Sequence, residues 1–116
     1  MKIEGTGKLL RIFIGEDDKY EGKPLFEVIV KKVRELGLAG ATVIRGIEGF
    51  GAGSRIHKLR LLDLSSDLPI LIEIVDSEEN ISKLIPEIEN LIEKAGCGAL
   101  ITLEKVEVLR YSPGKE

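Results

Sequence analysis

The chain has 116 residues, 43% hydrophobic and 32% charged, a balance that suits one soluble domain able to bury a core without disulfides or metal. Net charge is −3 and the sequence pI about 5.3, which counts against a nucleic-acid partner, and 4% aromatics with no Trp leave a sheet few rings to stack on RNA bases. One cysteine, Cys97, excludes an internal disulfide, and one histidine, His57, adds little to a metal site.

No apolar run nears the ~20 residues that span a bilayer. The opening five residues lack a secretory pattern, so the expected compartment is the cytoplasm. Abundant Glu and Lys with no Gln lean toward a thermophilic source.

Residues 1–7 read as a lead-in to a single domain. Over 8–14, Leu10, Ile12 and Ile14 alternate, which predicts a strand. Residues 15–23 form a charged loop whose run Glu16-Asp17-Asp18 is most simply a solvated face. Pro24 suits the first turn of a helix carrying Phe26, Ile29, Val30, Val33 and Leu36, and Gly37 suits its end. A second strand is expected over 41–47.

Residues 46–53 hold four glycines, and 54–67 read as a loop with marginal strand character. The apolar run over 69–75 predicts a third strand buried on both sides. Ser77 is a good N-cap, followed by Glu78 and Glu79 at the positive end of a helix. Ile81, Leu84, Ile85, Ile88, Leu91, Ile92 and Ala95 form its apolar stripe, and Pro86 predicts a kink. The last strand is expected over 99–110, with 112–116 as a tail.

The order β-α-β-loop-β-α-β, in two halves that echo each other at 36–42 and 95–102, predicts an α+β, ferredoxin-like βαββαβ sandwich. Two helices would cover one face of a four-stranded antiparallel sheet. Leu9 and Phe13 would lie on the other face with little polar relief, which argues for burial against further copies.

Gly49-Phe50-Gly51-Ala52-Gly53 lets backbone amides approach an anion. By itself it reads first as a mobile loop, since it lacks the Lys-Ser/Thr of a P-loop and a following helix. Gly96-Cys97-Gly98 reads alone as a helix-end turn, Cys97 as a small filler, and Arg110 as a solvated arginine with a phosphate clamp as the alternative. His57 reads as an exposed loop residue. No acid–base constellation is visible, so an enzyme is the least supported class.

Taken together, Glu35-Leu36-Gly37-Leu38-Ala39-Gly40-Ala41-Thr42-Val43, Gly49-Phe50-Gly51, Leu68-Pro69 with Ile72-Glu73-Ile74-Val75, Gly96-Cys97-Gly98 and Arg110 resemble, in order and spacing, the PII family of signal-transduction proteins, most closely its PII-like branch. The resemblance implies a non-enzymatic homotrimer with an adenine nucleotide between subunits, ADP most of all. Thr42 and the Gly49, Phe50 and Gly51 backbone would hold the nucleoside end, with Glu73 and Val75 lining the cleft. Gly96, Cys97 and Gly98 would form the phosphate turn, and Arg110 would clamp charge.

The 52–67 loop would signal to a regulatory target protein, soluble or membrane-bound, with no insertion of this chain; Arg55 and His57 lie in it. Ala99 stands where the family has a lysine and Ser112 replaces a second arginine, which favours ADP or AMP over ATP. The alternative is a divalent-metal tolerance trimer of the same fold, which would find few soft ligands here.

Overall fold

The computed structural model describes residues 5–51 and 67–115. Among them the elements run β1 (Gly5–Gly15), β2 (Lys19–Tyr20), β3 (Lys23–Pro24), α1 (Leu25–Glu35), β4 (Thr42–Arg45), β5 (Pro69–Asp76), α2 (Glu78–Ala95) and β6 (Leu100–Val108). The main sheet has the order β4-β5-β1-β6, every neighbouring pair antiparallel. Two helices pack on one side. This is the ferredoxin-like βαββαβ arrangement that the order of elements predicts.

The pattern of burial explains the layers. Leu10, Ile12 and Ile14 of β1 and Ile70, Ile72 and Ile74 of β5 alternate into the core, since side chains two apart share a face. They meet Leu25, Ile29 and Val33 of α1 and Ile81, Leu84, Ile88 and Leu91 of α2. The buried line of α1 is therefore shifted from the expected one: Phe26 and Val30 flank it, and Leu36 is exposed. β5 is buried on one face only within the chain, because Pro69, Leu71 and Glu73 are half-buried and Val75 is exposed on the other.

Caps set the element ends. Gly37, at φ 78°, closes α1: its N–H donates to the Arg34 carbonyl and the Leu38 N–H to that of Val33. Pro24 stands just before the helix, not inside it. Ser77 accepts the Asn80 N–H at the start of α2, and Gly96 at φ 69° ends it. α2 runs unbroken through Pro86, which is exposed. The charged loop contains a hairpin, β2–β3, turned by Glu21 (φ 50°) and Gly22 (φ 81°), both on the positive side that a tight hairpin turn needs.

Strand ends differ from expectation, and β6 stops at Val108 short of the expected residue 110. β1 begins at Gly5, inside the expected lead-in, because β6 is long enough to pair Gly5 with Val108. β4 stops at Arg45; Gly46 then donates to the Pro69 carbonyl at 2.7 Å, and a Cβ on Gly46 would lie 2.6 Å from Pro69 Cγ.

Asp76 was not singled out by the sequence. Fully buried, it accepts the N–H of Ala39 (2.8 Å) and Ser77 (2.7 Å) and Asn80 Nδ2 (2.9 Å), tying the connection after α1 to the start of α2.

Candidate functional site

Register places one end of the sheet under several loops. Gly15 pairs with Pro69, Phe13 with Leu100, and Gly46 reaches Pro69. The turn after α2, the segment after β4 and the residues entering β5 therefore meet at the same edge. They enclose a cleft of about 360 Å³. Phe13, Phe50, Pro69 and Leu100 give it apolar walls, and Gly49, Gly51, Gly98 and Ala99 bring backbone close to it. Phe50 and Leu100 are 64% and 55% exposed, large apolar groups left uncovered at this spot.

The two glycine segments thus converge on one cleft, within a single chain. The remaining residues expected to join them fall elsewhere. Gly96 and Cys97 do not line the cleft. The Gly96 N–H closes α2 on the Ile92 and Glu93 carbonyls, so it is spent on the helix cap. Thr42 pairs with Glu73, and with Val75 both lie on the sheet face away from the helices, about 10–20 Å along their strands from the cleft end. Arg110 follows β6, whose nine residues carry it some 26 Å to the far end of the sheet. There its Nε donates to Ser112 Oγ at 3.3 Å.

Glu73 has another partner. Arg11 Nε donates to Glu73 Oε2 at 2.9 Å and its Nη1 to Glu104 Oε1 at 2.5 Å, and these carboxylates raise the guanidinium's pKa. This charged row crosses the open face between Leu9 and Phe13, so the expected lack of polar relief does not hold. Apolar surface remains on either side, with Ile44 (45% exposed) and Val75 (39% exposed) among it.

Sequence reasoning missed the apolar walls Phe13, Pro69 and Leu100 as cleft residues, and with them two acids, Asp18 and Asp67. Asp18, expected on a solvated face, accepts the Gly15 N–H at 2.7 Å and lies close to the Cys97 thiol. Burial pushes its carboxyl above the ordinary value; the Gly15 N–H works against this, and nearby Asp67 adds to it. Burial likewise pushes the Cys97 thiol up to about 11, reinforced by Asp18. Asp67, at φ 37°, accepts the Asp17 N–H at 3.0 Å and crowds Gly15. Beside them Glu16 is paired with Arg45 at 2.9 Å. The expected signalling segment, with Arg55 and His57, lies outside the described residues except for Asp67.

Among the described residues no three His, Cys, Asp or Glu side chains are grouped to hold a metal ion, and no helix is long and apolar enough to cross a membrane.

The family model described as Uncharacterized ACR, COG1993 (DUF190) matches residues 7–108. The chain belongs to the DUF190 family. Curated relatives agree with that. A UPF0166 protein of Aquifex aeolicus is 46% identical over 102 residues, covering 88% of this chain and 92% of its own. A UPF0166 protein of Methanocaldococcus jannaschii is 38% identical over 89 residues, covering 77% and 82%.

Among solved structures, this DUF190 chain is similar to CPII from Thiomonas intermedia, bound to ADP, AMP and acetate, with a TM-score of 0.64 at 18% identity, covering 95% of this chain and 94% of that one. A PII-like signalling protein of Thermus thermophilus gives 0.62 at 23% identity, with 94% of each chain covered. At these identities the likeness is one of fold. It places the chain on the scaffold that the sequence motifs resemble.

Proposed function

We propose that this DUF190 protein is a PII-like regulator that binds an adenine nucleotide, ADP or AMP, in the cleft between Gly49–Gly51 and Gly98 and passes the bound state to a target protein through the 52–67 segment. The observation that carries this reading is the meeting of the two glycine segments at one apolar-walled cleft. Phe50 and Leu100 suit the flat faces of a base, and glycine-bared backbone suits close approach of the sugar-phosphate. Similar structures of CPII carry ADP and AMP.

Gly49 and Gly98 take over the donor role expected of Gly96, whose N–H is committed to the cap. The half-apolar open face of the sheet supports assembly, which we assign to a homotrimer in the cytoplasm. In a trimer Arg110, at the far end of its own sheet, would reach a nucleotide only in a neighbouring subunit's cleft.

Isothermal titration of the purified protein with AMP, ADP and ATP tests the reading. Saturable binding that Phe50→Ala weakens is the expected outcome. No binding at millimolar nucleotide rejects it.

A further inference from the structure

Among its described residues the cleft pairs two carboxylates with no base. Asp18 and Asp67 both line it, and no Lys or Arg does among the described residues. Arg45, close in the chain to the glycine segment, is held by Glu16 through two contacts, at 2.9 and 3.1 Å. Arg110, at the far end of its own sheet, could enter only from another copy. A polyphosphate set into such a cleft meets like charge. Two unit charges about 6 Å apart in a half-solvated site repel enough to weaken binding roughly three- to ten-fold for each charge added.

The same carboxylates are acceptors with capacity to spare. Each carboxylate offers about four acceptor positions. The backbone takes one on Asp18, through Gly15, and one on Asp67, through Asp17. What remains suits the neutral donors of a nucleoside, its ribose hydroxyls and exocyclic amine. The apolar walls suit its base.

We propose that Asp18 and Asp67 make the cleft selective for an adenine ligand with at most one phosphate, adenosine or its monophosphate, by accepting hydrogen bonds from the nucleoside and repelling further phosphates. This rests on the nucleotide-binding reading above and narrows it. Asp67 is the stronger selector, because it ends the 52–67 segment. A ligand that engages it thereby acts on the segment proposed to signal.

The test is calorimetric titration of the wild type, Asp67→Asn and Asp18→Asn with adenosine, AMP, ADP and ATP in EDTA, with circular dichroism to show that each variant is folded. The wild type is expected to bind adenosine and AMP at least about ten-fold more tightly than ATP. Either variant should compress that ranking, weakening AMP while strengthening ATP.

Affinity that rises with phosphate number in the wild type overturns the proposal. So does a ranking that neither folded variant changes. Repeating the titration with Mg²⁺ adds a further arm: if Mg²⁺ lifts ATP above AMP in the wild type but not in Asp67→Asn, the carboxylates hold a cation instead, and the proposal falls. In each of these cases a nucleotide still binds and the regulator reading stands. Failure of all four ligands to bind removes both.

Discussion

Gly15→Ala probes the wall of the cleft directly. Gly15 has no positive φ, so alanine is free of backbone strain there. The obstacle is steric: an added Cβ would lie 2.3 Å from Asp67 Oδ1 and 2.9 Å from its Cγ. The Asp67 carboxylate must then leave, breaking its bond from the Asp17 N–H. Loss of that exposed hydrogen bond costs about 0.5–1.5 kcal/mol, and crowding adds about 1 kcal/mol. Reduced freedom of the unfolded chain offsets about 0.4–1 kcal/mol. A net destabilisation of about 0.5–2 kcal/mol follows, roughly 2–8 °C in Tm for a domain of this size.

A double-mutant cycle with Asp67→Ala isolates the cause. In that background the crowding is gone, and Gly15→Ala should be neutral or slightly stabilising in urea melts. If Gly15→Ala costs the same in both backgrounds, the contact with Asp67 is not what excludes a side chain at position 15, and the account of this wall is wrong.

Asp76→Ala leaves three part-buried donors without their carboxylate and should cost about 3–5 kcal/mol, read by urea denaturation; a loss under about 1 kcal/mol would show that water replaces the carboxylate freely. Cys97, with its thiol at about 11 against an ordinary 9.0, should alkylate with iodoacetamide on the order of 100-fold more slowly in the native than in the unfolded protein at about pH 7.5. For Asp18 the folded state holds the proton more tightly than the unfolded one. Its contribution to stability is therefore full below pH 3.8 and is lost as pH rises through the raised folded value. Asp18→Asn should flatten that decline in melts taken from about pH 3.5 to 7, and an unchanged profile would contradict the desolvation.

Much of this was legible from local pattern. The alternation at Leu10, Ile12 and Ile14, the stripe of α2 and the Gly37 and Gly96 stops each follow from constraints acting within a few residues, so the order of elements and the fold class could be read directly. Glycine content marked 49–51 and 96–98 in the same way. The positions of Thr42, Glu73 and Val75 relative to the cleft could not be read. Being in a motif does not say which end or face of a sheet a residue occupies, and that depends on register.

Asp18 and Asp67 show the limit best. In sequence one sits in an acidic run and the other before Leu68-Pro69, and Asp17 and Asp67 are fifty positions apart. Local chemistry predicts only solvation for such groups. The antiparallel pairing of Gly15 with Pro69 brings them to the same wall, a long-range contact decided by how β1 and β5 align. What the chain settles alone is which segments are helix, strand and turn, because those energies are local. Which charges share a cleft is settled only when the sheet closes, because burial and pairing across it are not.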